Sequence, residues 1–181
     1  MKIIIILLVI GIFLVLCGLA FINSGLFDVA ATKPETEIVK WVLQTTKEKS
    51  VRSRSKDIAV PNLNDESLTM TGFNNYDQMC VGCHGAPGIS PSVIGEGLNP
   101  EPPDLSEVAL HMSPEELFWI TQNGIKMTGM PAFGPTHSDE ELWAMVAFMQ
   151  KLPDLSAEKY KSLKEESENM PQEHNHGDHS H

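Results

Sequence analysis

The chain opens on twenty uncharged residues, Ile3 to Ile22, where Gly11, Cys17 and Gly18 alone interrupt Ile, Leu, Val, Phe and Ala. A helix of that length reaches about 30 Å, the thickness of a bilayer's hydrocarbon core. A secretory signal has a shorter apolar stretch, about 7–15 residues, and then a small-residue cleavage site. Residues 1–31 therefore read as a transmembrane anchor and its flank, with a signal ending near Val29-Ala30-Ala31 as the alternative. Cys17 follows Leu14, Val15 and Leu16 rather than small residues, so it reads as apolar filler and not a lipidation site.

Residues 32–57 predict a helical stalk. Pro34 suits a first turn, Glu35 and Glu37 favour the positive end of the helix dipole, and Ile38, Val39, Trp41, Val42 and Leu43 form an apolar patch. Lys47, Lys49, Arg52, Arg54 and Lys56 follow. The segment suits a bilayer interface; the alternative is a docking helix for a membrane partner.

Residues 58–153 predict a helical domain. Phe73 to Met79 reads as helix, and the glycines and prolines from Gly85 to Pro103 read as loop. Ser113, Pro114 and Glu116 open a second helix with a capping box, and Gly124 stops it. Ile125 to His137 is a second loop. Ser138 to Glu141 is another capping box, opening a helix to about Leu152 with Leu142, Met145, Val146 and Met149 on one face. No strand and no repeat is evident, so the fold class is all-α. Residues 154–181 read as a polar tail: a frayed helix over Leu155 to Asn169, then His174, His176, His179 and His181. Imidazole suits copper, nickel or zinc, so the tail is a candidate divalent-metal site, against the plainer reading of a solvated polar end.

Composition adds bounds. The 181 residues allow one modest globular domain, and 41% hydrophobic against 20% charged residues excludes wholesale disorder. Net charge is −11, which excludes nucleic acid as a partner. It is segregated: residues 1–57 carry +3, and residues 58–153 carry −10 with only Lys126 and Lys151 as cations.

Cys80-Val81-Gly82-Cys83-His84 is C-x-x-C-H, the attachment motif for c-type haem. Two thiols form thioethers to the haem, and the adjoining histidine faces the iron. A structural zinc site needs two more ligands, and the chain has no second cysteine pair. A thioredoxin-like site needs a βαβ context.

Together with Gly72, Phe73, Tyr76 and Gly85, the run Gly129-Met130-Pro131-Ala132-Phe133 and a closing amphipathic helix bearing Trp143, this motif resembles a class I (mitochondrial-type) cytochrome c. The resemblance covers roughly residues 67–153. It implies three main helices around one covalent haem, with Gly72, Phe73 and Tyr76 packing on Leu142, Val146 and Met149. Downstream candidates for the second axial ligand are His111, Met112, Met127, Met130 and His137. Met130 is preferred, because Pro131 keeps it extended in a loop and the family motif falls there; Met127 is the runner-up. His84 is expected to donate its second ring N–H to a carbonyl of the following loop, from Pro87 or Pro91.

The expected function is a membrane-anchored mono-haem electron carrier, not an enzyme, with Cys80, Cys83, His84 and Met130 as the haem site. The family attaches haem outside the bacterial cytoplasmic membrane, which implies a single pass with the haem domain on the outer side. The acidic head implies redox partners with a basic docking surface. The alternatives are a fixed haem subunit of a larger oxidoreductase and a haem- or metal-responsive sensor.

Overall fold

The computed structural model describes residues 1–169. The histidines at 174, 176, 179 and 181 lie outside the described residues. The chain forms two compact units, Met1–Glu35 and the unit beginning at Thr36. In the first, α1 (Lys2–Asn23) is one uninterrupted apolar helix with no buried residue, long and apolar enough to cross a membrane.

The second unit is helical, and no strand occurs among the described residues. It begins with α2 (Glu37–Ser55) and continues with α3 (Ser67–Met79), α4 (Val81–His84), α5 (Val93–Glu96), α6 (Leu105–Ala109), α7 (Pro114–Asn123), α8 (Asp139–Met149) and α9 (Ala157–Asn169). A 3-10 turn over Leu152–Asp154 links the last two. Both expected capping boxes form. Ser113 and Ser138 accept from the backbone N–H of Glu116 and Glu141, whose carboxylates accept from the backbone N–H of the two serines. Each box satisfies donors that a helix start otherwise leaves unpaired. Gly124, at φ +64°, ends α7 in a left-handed conformation that a glycine adopts without strain.

The core is the crossing of α3 and α8. Gly72 makes it possible: a Cβ there would lie 2.1 Å from the Ala144 carbonyl oxygen and 2.9 Å from the Phe148 Cβ. The rings of Phe73 and Tyr76 meet Phe148 at centroid distances of 5.6 and 5.3 Å. These contacts run through Ala144 and Phe148, which lie off the apolar face read from periodicity. The reason is that every residue from Leu142 to Met149 is buried. A helix covered on all sides has no polar stripe, so its sequence understates how many faces it uses.

Two elements at the edges are more involved than their polarity suggests. In α9, Tyr160 and Leu163 are buried; the Tyr160 hydroxyl donates to Asp77 Oδ1 at 2.9 Å, and Lys164 Nζ lies 3.0 Å from Asp77 Oδ2. The expected frayed helix is thus clamped on α3. In α2, Val51 and Ser55 are buried and the helix packs on α7.

Candidate functional site

The five-residue motif is built by a change of helix. Cys80 ends α3 and starts α4, which places Cys83 and His84 one turn on. Gly85, at φ +69°, turns the chain out. Its carbonyl accepts from the buried Tyr76 hydroxyl at 2.8 Å, which ties the exit of the motif to the core helix. The following loop presses on the motif. Ser92 donates to the Gly82 carbonyl twice, from Oγ at 2.6 Å and from N at 2.9 Å. A Cβ on Gly95 would lie 2.9 Å from the Cys83 Cα.

His84 Nδ1 lies 2.7 Å from the Pro103 carbonyl oxygen. Neither Pro87 nor Pro91 supplies that acceptor. The chain first turns back on itself through an Ala86–Ile89 bridge, and the acceptor comes from 19 residues downstream. Asp104 holds it in place as the N-cap of α6, its Oδ1 accepting from Ser106 N at 2.8 Å and from Ser106 Oγ at 2.7 Å. Burial pushes the His84 imidazole below its ordinary value, with the Pro103 carbonyl acting the other way. A neutral ring that donates from Nδ1 keeps Nε2 as a lone-pair donor, the form in which histidine binds a metal. Burial pushes the Cys80 thiol up to about 12, the opposite of a reactive thiolate.

Cys80, Cys83 and His84 border a cavity of about 490 Å³, and Met130 lies on another part of its wall. The rest of the lining is largely apolar, with Leu98, Leu105, Val108, Leu117, Ile120, Ile125, Phe133 and Met149. The Met130 backbone is held at both ends: its N–H donates to Thr128 Oγ1 at 3.1 Å, and its carbonyl accepts from Ile125 N at 3.2 Å. Thr128 Oγ1 in turn donates to the Ile125 carbonyl at 2.7 Å. Thr128 went unnoticed in the sequence, where its only signal is its place two residues before Met130. Gly124 permits this packing, since a Cβ there would lie 2.8 Å from the Met130 carbonyl oxygen.

The other candidates fall elsewhere. Met127 has φ +62° and is 95% exposed, off the cavity wall. His137 is bonded to the Thr136 hydroxyl at 2.9 Å and does not border the cavity. Met112 and His111 do border it, and His111 is exposed. Among the described residues no group of three or more His, Cys, Asp or Glu is gathered to hold a metal ion.

The volume is that of a ligand pocket, the walls are apolar, and a thiol pair with an adjacent neutral imidazole stands in one of them. These residues fit a covalently attached haem. An all-α fold with a C-x-x-C-H turn between its first core helix and a loop-wrapped cavity is that of a class I c-type cytochrome. Residues 67–149 match the family model of cytochrome c oxidase, cbb3-type, subunit III, and the domain is a c-type cytochrome domain whose cofactor is one covalently bound haem c. No curated protein matches the chain.

Proposed function

We propose that the protein is a membrane-anchored carrier of single electrons, with thioethers at Cys80 and Cys83 and with His84 and Met130 as axial ligands. One observation carries this reading: four side chains from two distant segments border a single apolar cavity, and the one imidazole among them is oriented by the Pro103 carbonyl. The haem iron supplies a one-electron couple. Neutral imidazole with a thioether favours the reduced state and a high potential. With protein side chains at both axial positions no site is left for a substrate, which favours electron transfer over catalysis. α1 supports a single-pass anchor; the bacterial cytoplasmic membrane and the outer-side placement of the haem domain follow from where the resembled family attaches its haem.

A second reading is a fixed haem subunit of a larger oxidoreductase. It is favoured by the family model itself, which describes a subunit of an oxidase. Purification in mild detergent separates the two, since co-migration with other redox subunits supports the second.

The test of the haem site is direct. Haem should survive acid–acetone extraction of the wild-type protein and be lost from the C80A/C83A double variant. Met130→Ala should abolish the near-infrared band of sulfur–iron ligation, and Met127→Ala should leave it intact. The reverse pattern in the two methionine variants would overturn the ligand assignment.

A further inference from the structure

The polar composition of α2 hides a pattern. Gln44, Lys47, Glu48, Val51 and Arg52 all border the haem cavity. Their spacing of i, i+3, i+4, i+7 and i+8 is that of one helix face. Val51, at 3% exposure, and Ser55, at 2%, seat this face on the domain. Arg52 Nε lies 3.4 Å from Glu116 Oε1 on α7. The match to the cytochrome family begins only at residue 67, so this wall of the cavity comes from outside the family domain.

The charged groups on the cavity wall are Glu48, Glu101 and Glu116 and two cations. Lys47 and Arg52 are the only lysine or arginine on its wall among the described residues. Residues 58–153 offer only Lys126 and Lys151, and neither borders it. Haem brings two carboxylates, on the half of the ring opposite the carbons that take the thioethers. A carboxylate set into an apolar cavity is costly unless a cation or several donors meet it. The cysteines stand at the α3–α4 turn, whereas α2 forms a different wall, packed on α7. The guanidinium of Arg52 has N–H donors beyond its Nε, in the planar fork that suits a carboxylate.

We infer that α2 completes the haem pocket and that Lys47 and Arg52 hold the carboxylates of the haem. The inference rests on the haem reading of the same cavity. It makes the reduction potential depend on the helix that follows the apolar α1 in the chain. Removing a cation beside the haem favours the oxidised iron and lowers the potential.

The test uses the full chain, loaded with haem and in detergent. Lys47→Gln and Arg52→Gln should each lower the midpoint potential, and the double variant more than either. The visible bands and the near-infrared sulfur band should stay as in wild type. Lys49→Gln removes the same charge from a position of α2 off the cavity wall and should leave the potential unchanged. Lys47→Arg should restore the wild-type value. An unchanged potential in the double variant, or an equal fall in Lys49→Gln, would overturn the inference while the spectra keep the haem reading intact. A wild-type protein without covalent haem would overturn that reading itself.

Discussion

The imidazole of His84 and the carbonyl of Pro103 meet at 2.7 Å across 19 residues of chain, and the carbonyl stands where it does because Asp104 caps the next helix. In the proposed site, donation from Nδ1 would make the ring more electron-rich toward iron. Asp104→Ala and Asp104→Asn both delete a negative charge and should both raise the reduction potential. Alanine also deletes the cap, at a cost of about 1 kcal/mol, and loosens the carbonyl. The rise should therefore be larger in Asp104→Ala, measured by potentiometric titration. Equal rises would show that the cap does not orient Pro103.

Thr128 ties the backbone of Met130, the axial ligand proposed alongside His84, to Ile125. Thr128→Val keeps the shape and deletes the hydroxyl that bonds Ile125 and Met130. Leaving those backbone groups unpaired should cost about 1–3 kcal/mol. The near-infrared sulfur band should weaken, and added imidazole should bind the iron more tightly than in wild type. An unaltered band and imidazole affinity would mean that the loop is held without Thr128.

Gly72→Ala should destabilise the domain. Alanine gains about 1 kcal/mol over glycine in helix propensity. Its methyl group would sit 2.1 Å from a backbone oxygen of α8, which no rotamer relieves. The helices must then move apart, and a net loss of about 2 kcal/mol is expected in guanidinium unfolding of the haem-loaded protein. A neutral result would mean that α3 and α8 slide at little cost.

Acid should weaken the start of α8. Glu141 titrates below its ordinary value, chiefly because it accepts from the Ser138 backbone N–H. A depressed carboxyl contributes stability that is fully present above its unfolded value, about 4.3, and is lost as pH falls through the folded one. The stability difference between wild type and Glu141→Gln should thus be constant near neutrality and shrink below about pH 4. A difference that persists at lower pH would assign the effect to shape rather than charge.

The acidic domain should meet a basic partner. Residues 58–153 carry twelve acids and two lysines. The rate of electron exchange with the physiological partner should fall as salt rises from about 10 mM, where screening reaches about 30 Å, to about 0.15 M, where it reaches about 8 Å. A rate that rises with salt would mean an acidic partner, and a flat one a preassembled complex.

What could be read from the chain alone was what short segments decide. A thiol pair with its histidine occupies five residues, a capping box four, and an apolar span one helix; each carries its chemistry in adjacent side chains, as does the all-α class. Tertiary structure decided what depends on distant partners. The acceptor for His84 is a backbone carbonyl, which no side chain marks, and folding rather than nearness in sequence selected Pro103 over Pro87 and Pro91. Met127 and Met130 differ through a left-handed residue and a threonine hydroxyl, which turn one methionine to solvent and leave the other on the cavity wall. In α2 and α9 a few residues do the packing while charges dominate the composition, so both helices look solvated. Val51 and Ser55, like Tyr160 and Leu163, are buried only because another helix lies against them. Periodicity registers a wide apolar stripe; it cannot register a narrow contact made by two side chains, because the partner surface exists only after the chain has folded.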